Sequence, residues 1–166
     1  MSRKRIEMIK EIFNESSIII YKAIEDISEE QIHWKPAGES RSIFEISAHL
    51  IRVNIYFLKR LGYDVKVQAP KNSSVSDLNI ALRSINTFII EILNTTMDDS
   101  ELLRKSTAVD AQNTENLNQL IPHFSQHYLY HYSQIVYLRR AQDRQWKSPV
   151  EDWERITYLI GSYLNP

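Results

Sequence analysis

The sequence predicts an all-α fold, an up-down four-helix bundle with two short accessory helices, in a single domain over residues 1–166. Glycine is scarce, with 3 residues in the chain, and apolar residues recur at three- and four-residue steps. Four such stretches of about 20 residues each correspond to helices about 30 Å long. Each has one apolar stripe, and a bundle is the simplest arrangement that buries four single stripes.

The first bundle helix is predicted near the amino end, where Ser16 interrupts its apolar stripe. The stripe consists of Ile6, Ile9, Phe13, Ile20, Ile24 and Ile27. Ser28 followed by Gln31 is a capping-box pattern, so a short accessory helix is expected from Ser28 to His33. Pro36 ends it, because the residue before a proline is pushed out of the helical conformation.

The second and third bundle helices have clear boundaries in the sequence. Ser42 with Glu45 forms another capping box, and Gly62 stands where a carboxy-terminal cap is expected. The third helix is expected from about Ser74 and fades into polar residues 94–96. Both have regular apolar stripes, formed by Ile46, Leu50, Val53, Phe57 and Leu61 in the second and by Val75, Leu78, Leu82, Ile85, Ile89 and Ile92 in the third.

A polar connection over residues 97–113 leads to the fourth bundle helix and is long for a helix–helix loop. That helix is expected from near Thr114 to residues 139–140, two arginines that suit the negative end of a helix dipole. Pro122 lies inside it, so we expect Pro122 either to kink the helix or to mark its true start.

A short final helix is expected after Ser148 and Pro149, with Glu151 as an acid in its first turn. Its apolar residues are Trp153, Ile156, Leu159 and Ile160.

Composition excludes several classes of function. Lys plus Arg is 20 and Asp plus Glu is 21, so the net charge of -1 supplies no positive field for nucleic acid. The absence of cysteine removes disulfides, thiolate metal ligands and cysteine nucleophiles. Three scattered glycines cannot form a phosphate-binding or dinucleotide-binding loop. No apolar run has the length of a signal segment or a membrane span, so we expect a cytoplasmic protein.

Three histidines are predicted to face the bundle interior from two helices. At 100° per residue, His131 falls near the centre of the fourth apolar stripe, and His127 falls on its flank one turn earlier. His49 falls on the flank of the second stripe. A buried imidazole costs free energy unless both nitrogens find partners, and a divalent metal ion satisfies one nitrogen of each. Three protein ligands leave a fourth position open for water or substrate, which is typical of catalytic metal sites.

The same histidines also allow an interpretation without metal. A buried histidine that is hydrogen-bonded to a hydroxyl group is common, and Tyr128, Tyr130 and Tyr132 are close in sequence. Spacing alone does not separate the two interpretations.

Other polar residues are secondary candidates. Glu45 is a candidate general base, although the capping box explains it more simply. Gln134 is a candidate to hydrogen-bond a ligand or a water on the metal, or else a solvated helix residue. His123 rotates away from the stripe centre and is expected at the rim. Glu30 and His33 match half of a di-iron motif, but the sequence has no second copy.

Around the three inward-facing histidines and near its carboxy end, the sequence resembles the DinB/YfiT-like superfamily of metal-binding four-helix bundles. The resemblance lies in residues 34–50, 127–140 and 149–159, and includes Trp34-Lys35-Pro36, Ala48-His49-Leu50 and His127-x-x-Tyr130-His131-x-x-Gln134. It implies that His49, His127 and His131 are the metal ligands, the same three that helical rotation places inward.

The resemblance also implies a homodimer, and relatives that are transferases or isomerases using low-molecular-weight thiols such as bacillithiol or mycothiol. We therefore expect a divalent transition metal ion, zinc or nickel, and a small-molecule substrate, with no nucleic-acid or membrane partner. Because the chain has no cysteine, a thiol nucleophile must arrive as a cosubstrate; hydrolysis by metal hydroxide is the other enzymatic possibility. The alternative is a non-catalytic metal-binding or stress-response protein that acts through its dimer surface.

Overall fold

The structure, a computed structural model, describes the backbone of residues 2–164 and the side chains of residues 2–149 and 154–163. The helices of this part of the chain are α1 (Lys4–Ile24), α2 (Glu29–His33), α3 (Ile43–Arg60), α4 (Val75–Thr95), α5 (Leu117–Gln142) and α6 (Val150–Leu164). The long helices α1, α3, α4 and α5 surround one apolar core, so the predicted all-α bundle is confirmed.

Contacts between side chains give the relative directions of the four long helices. These contacts are Phe13–Tyr128, Asp26–Arg139, His49–His131, Phe57–Phe124, Tyr21–Asn86 and Lys10–Asn94. Later residues of α1 meet later residues of α5, so these two helices are parallel. The order reverses between α3 and α5 and between α1 and α4. The bundle is therefore up-down-down-up, which corrects the predicted up-down order. Residues 61–74 return along its length before α4 begins, so α3 and α4 run parallel.

The predicted helix starts are confirmed where serine caps were expected. Ser28, Ser42 and Ser74 each accept a hydrogen bond from the backbone N–H three residues later. Gly62 has a φ of +84°, a left-handed conformation that glycine adopts without steric cost. Its N–H donates to the carbonyl of Lys59 at 2.9 Å and so closes the end of α3.

The segment between α4 and α5 differs from the predicted polar connection over residues 97–113. It contains a 3-10 helix, Glu101–Leu103, and two antiparallel strands, β1 (Ser106–Ala108) and β2 (Thr114–Asn116). The predicted start of the fourth bundle helix near Thr114 is corrected to Leu117, because the three residues before it pair with β1.

Pro122 lies within the first two turns of α5 and does not mark its start. A proline has no N–H to donate to the carbonyl four residues earlier, which here belongs to Asn118. The hydroxyl of Tyr163 donates to that carbonyl at 2.8 Å instead. A residue of α6 thus satisfies the acceptor that the proline leaves without a helical partner.

The last helix is longer than the short accessory helix predicted, and it begins one residue after Pro149. It packs along α1, where Ile156 is fully buried and Arg155 pairs with Glu11 at 3.3 Å. The predicted roles of Glu151 and Trp153 concern side chains that lie outside the described residues. Within the described range, no helix combines the length and the apolar character needed to cross a bilayer.

A buried polar network joins the four long helices at the centre of the bundle. The Tyr128 hydroxyl accepts from the Asn54 side-chain amide and donates to the Asn86 carbonyl oxygen, each at 2.7 Å. The Asn86 amide in turn donates to the Tyr21 hydroxyl at 2.6 Å. Burial raises the pKa of Tyr128 and keeps its hydroxyl protonated.

Tyr128→Phe is expected to lower the free energy of unfolding by about 1–3 kcal/mol, because it leaves buried amide groups without a partner. Urea denaturation of the metal-free protein measures this change. Tyr158→Phe removes a hydroxyl from a side chain that is 75% exposed, and its effect is expected to stay below about 0.5 kcal/mol. Equal effects of the two substitutions would contradict a stabilising role of the network.

Candidate metal centre

The three inward-facing histidines meet in one cluster between α3 and α5. One ligand nitrogen from each of His49, His127 and His131 lies within 4.8 Å of the others. The ring centroid of His49 lies 5.1 Å from the ring centroid of His127 and 5.0 Å from that of His131. The apolar stripe of α3 faces α5, so the two helices present these imidazoles to one another.

His131 is the most buried of the three, and its ring is held by a neighbour on the same helix. Its Nδ1 lies 2.7 Å from the side-chain oxygen of Gln134. An amide oxygen only accepts, so Nδ1 of His131 donates the proton and the neutral ring keeps a lone pair on Nε2. Gln134 is therefore a positioning residue, since it sets which nitrogen of His131 is available to a ligand.

The nitrogen positions allow either a metal-free hydrogen bond or, after a small movement, a shared ion. Nε2 of His131 and Nε2 of His127 are 2.9 Å apart, a hydrogen-bond distance. Two nitrogens at about 2.0–2.1 Å from one tetrahedral zinc ion lie about 3.4 Å apart, so a small separation of the rings would accommodate it. The buried Nδ1 of His127 has no partner among the described residues in either case.

Burial keeps the cluster uncharged and ready to bind a cation. Desolvation lowers the pKa of His49 and of His127 to about 4. Neighbouring imidazoles act in the same direction on both, and the charge of Arg41 does so on His49. Desolvation also lowers the pKa of His131, against the opposing hydrogen bond to Gln134. Neutral imidazole is the form that binds metal, so protons compete weakly at neutral pH.

The metal-free protein is expected to lose stability as the pH falls from 6.5 toward 4. In this window His49 and His127 are protonated in the unfolded chain but not in the folded one, so the unfolded state binds more protons. The stability that the two neutral imidazoles contribute is fully present above pH 6.5 and is lost as the pH falls toward 4. Urea denaturation midpoints of chelator-treated protein, measured across this pH range, give the size of the loss.

A double variant, His49→Gln with His127→Gln, is expected to reduce this pH dependence above about pH 4.5, and His131, whose pKa is also lowered, accounts for the part that remains. Carboxylates with a lowered pKa, such as Glu45, contribute only at lower pH. A pH dependence that is unchanged in the double variant would contradict the assignment.

An open cavity of about 760 Å³ lies in front of the cluster. Its lining comes from the loop before α3 and from α3 and α5, and consists of Pro36, Ser40, Arg41, Ile46, His49, His127, Tyr130, His131, Ser133, Gln134, Tyr137 and Leu138. A small molecule can therefore approach the three imidazoles from solvent. This arrangement is typical of a site with an open coordination position.

Glu45 has a structural position at the start of α3. One carboxylate oxygen accepts from the Ser42 N–H at 2.8 Å, and the other pairs with Lys35 Nζ at 2.6 Å. The Lys35 ammonium and the Ser42 N–H hold the pKa of Glu45 below its usual value. Glu45 does not line the cavity, and its role as a general base stays a prediction without a supporting contact.

The two remaining histidines lie apart from the cluster. His123 is at the rim, as expected, where its Nδ1 lies 2.9 Å from the carboxylate of Glu115 on β2. His33 packs its ring against Phe44, with ring centroids 4.7 Å apart.

Sequence reasoning named Gln134 as a candidate without its bond to His131, and it missed Arg41. The hydrogen bond between Gln134 and His131 was open to prediction from their three-residue spacing on one helix. Arg41 lies in the loop before α3, where no helical periodicity indicates which way a side chain faces, so its place in the cavity had no signal in the sequence.

No curated protein matches this chain. A family model described as the DinB family matches residues 1–142, which include all four long helices and the three clustered histidines but not α6. The match covers most of the 166 residues, and the chain therefore belongs to the DinB family.

Proposed function

We propose that this protein is a metal-dependent enzyme in which His49, His127 and His131 hold a divalent transition metal ion, zinc or nickel. The reaction is transfer of a low-molecular-weight thiol, through its sulfur, to a small electrophile, with hydrolysis as the second possibility. The observation that carries the proposal is the convergence of three neutral imidazoles at the floor of an open cavity.

A bound ion of this kind supplies Lewis acidity and lowers the pKa of a water or thiol toward neutrality. The residues of the chain bind the ion and orient its ligands. The three imidazoles provide the ligands, and Gln134 fixes the tautomer of His131. The apolar side chains of Ile46 and Leu138 line the cavity beside them and lower its polarity.

The chain contains no cysteine, so no protein thiol can act as the nucleophile. The thiol must enter the cavity as a cosubstrate. Its sulfur forms a bond to the electrophilic carbon, the leaving group departs with the electron pair of the broken bond, and the thiol proton passes to solvent.

The ligand number distinguishes this proposal from its alternative, a non-catalytic metal-binding or stress-response protein that acts through a dimer surface. A structural site has four protein ligands, whereas a catalytic site keeps one position open. The described residues within 4.8 Å contribute three ligands. We also propose, from family resemblance, that the protein acts as a cytoplasmic homodimer.

The test is turnover by zinc- or nickel-loaded, tag-free protein with cysteine as thiol and 1-chloro-2,4-dinitrobenzene as electrophile, and with 4-nitrophenyl acetate for hydrolysis. We expect metal-dependent turnover of one of these pairs that His131→Ala abolishes and His123→Ala leaves unchanged. Metal-loaded protein that is no faster than free metal ion with every pair would favour the non-catalytic alternative.

A further inference from the structure

The cavity in front of the histidine cluster has an unbalanced charge. Among the described residues, Arg41 is its one side chain with a permanent charge, and no carboxylate lines it. The three candidate ligands are neutral, so a divalent ion held there would keep its full positive charge. The cavity as a whole therefore favours an anionic ligand.

Arg41 has no partner among the residues that the structure describes. Its guanidinium donates no hydrogen bond to, and forms no ion pair with, any residue that the structure describes. Two other arginines that are part of the packed structure have partners: Arg139 pairs with Asp26 at 2.7 Å, and Arg60 donates to the Thr107 hydroxyl at 3.0 Å. The five N–H donors of Arg41 remain free for a ligand in the cavity.

The position of Arg41 is electrostatically unfavourable for the protein itself. It directly precedes Ser42, the N-cap of α3, at the positive end of the helix dipole. Its charge also lowers the pKa values of His49 and His131, which indicates that it lies close to the cluster. No described residue offsets the electrostatic cost of placing the Arg41 guanidinium there, and an anionic ligand would offset it.

Gln134 adds a second donor to the same cavity. Its side-chain oxygen accepts from His131, so the geometry leaves its amide N–H groups to face other partners. The cavity thus combines a guanidinium fork, which matches the oxygens of a carboxylate or phosphate, with a neutral donor.

We propose that Arg41 is the specificity-determining residue of this cavity and that it binds an anionic oxygen group on the substrate or thiol cosubstrate. That molecule would then have two points of attachment, the atom held at the three histidines and the anionic group held by Arg41. The inference rests on the proposed function, because it concerns the ligand of the same site.

The test compares two small thiols that differ in charge, 3-mercaptopropionate and 2-mercaptoethanol. Each is titrated into cobalt-loaded, tag-free protein, and the change in the visible absorption of cobalt gives its dissociation constant. A charge-assisted contact predicts that wild-type protein prefers 3-mercaptopropionate by about tenfold or more. In Arg41→Gln this preference is expected to fall by about fivefold or more, with the affinity for 2-mercaptoethanol little changed, and any preference that remains comes from the charge of the ion.

Arg52→Gln is the matched control. Arg52 is an exposed cation on α3 whose charge also lowers the pKa of His49, but it does not line the cavity. The control variant loses the same charge and is expected to keep the preference of the wild type.

The outcomes separate this inference from the proposed function. Wild-type protein that prefers neither thiol, or an equal loss of preference in the two variants, would overturn the role of Arg41 while the metal centre stands. Protein that takes up no cobalt would overturn the metal centre and this inference together. A cobalt spectrum that responds to neither thiol would overturn thiol transfer and the assignment of Arg41 within it.

Discussion

Replacement of His131 by alanine is expected to lower the affinity for zinc by more than about a hundredfold, a loss beyond that caused by removing an outer hydrogen-bond partner. The substitution removes one of three ligand nitrogens, and the ring that carries it is the one that Gln134 orients. Competition between the protein and a chelator of known zinc affinity measures the effect.

His123→Ala is the control for this prediction. His123 lies on the same helix, but it pairs with Glu115 and does not line the cavity in front of the cluster. Its removal is expected to change the zinc affinity by less than about twofold. Comparable losses in the two variants would show that zinc binds elsewhere or without specificity.

Phe13→Ala is expected to lower the free energy of unfolding by about 3–5 kcal/mol, the largest stability effect we predict. Phe13 is fully buried on α1, and its ring lies 5.6 Å from that of Tyr128. The substitution removes one ring contact between α1 and α5 and leaves a cavity that the rigid surroundings fill only in part. Chemical denaturation of the metal-free protein measures it.

Ile80→Ala is the matched control for the loss of a large apolar side chain. Ile80 lies on α4 and is 62% exposed, so its truncation is expected to cost less than about 1 kcal/mol. A loss below about 1 kcal/mol in Phe13→Ala itself would contradict the tight packing of the core between α1 and α5.

Local signals in the sequence were sufficient to locate the bundle helices. Ser42 and Ser74 are the N-caps of α3 and α4, and Gly62 closes α3, because capping chemistry depends on residues three or four positions apart. The same locality explains why helical rotation placed His127 and His131 together on one face of α5.

Features that depend on residues distant in the sequence could not be predicted from local signals. The strands before α5 have three residues each, too few for an alternating pattern, and Thr107 of β1 is held by Arg60 from α3. The packing of α6 along α1 likewise depends on contacts such as Arg155 with Glu11. The up-down-down-up order follows from residues 61–74, whose path along the bundle has no sequence signature.

The residues of the candidate site also differ in whether local sequence signals could predict them. The meeting of His49 with the pair on α5 was open to prediction because each residue lies on the apolar face of a long helix. Arg41 was not, because its side chain reaches the cavity from a loop whose conformation depends on the packing of α2 against α3.

The central claim, that three histidines hold one metal ion, is tested most directly by elemental analysis of purified, tag-free protein after exposure to zinc or nickel and removal of unbound ion. We predict close to one equivalent of a transition metal per chain in the wild type and almost none in His131→Ala. Wild-type protein without metal, or a variant that retains the full equivalent, would contradict the claim and leave the three imidazoles as residues of a polar pocket.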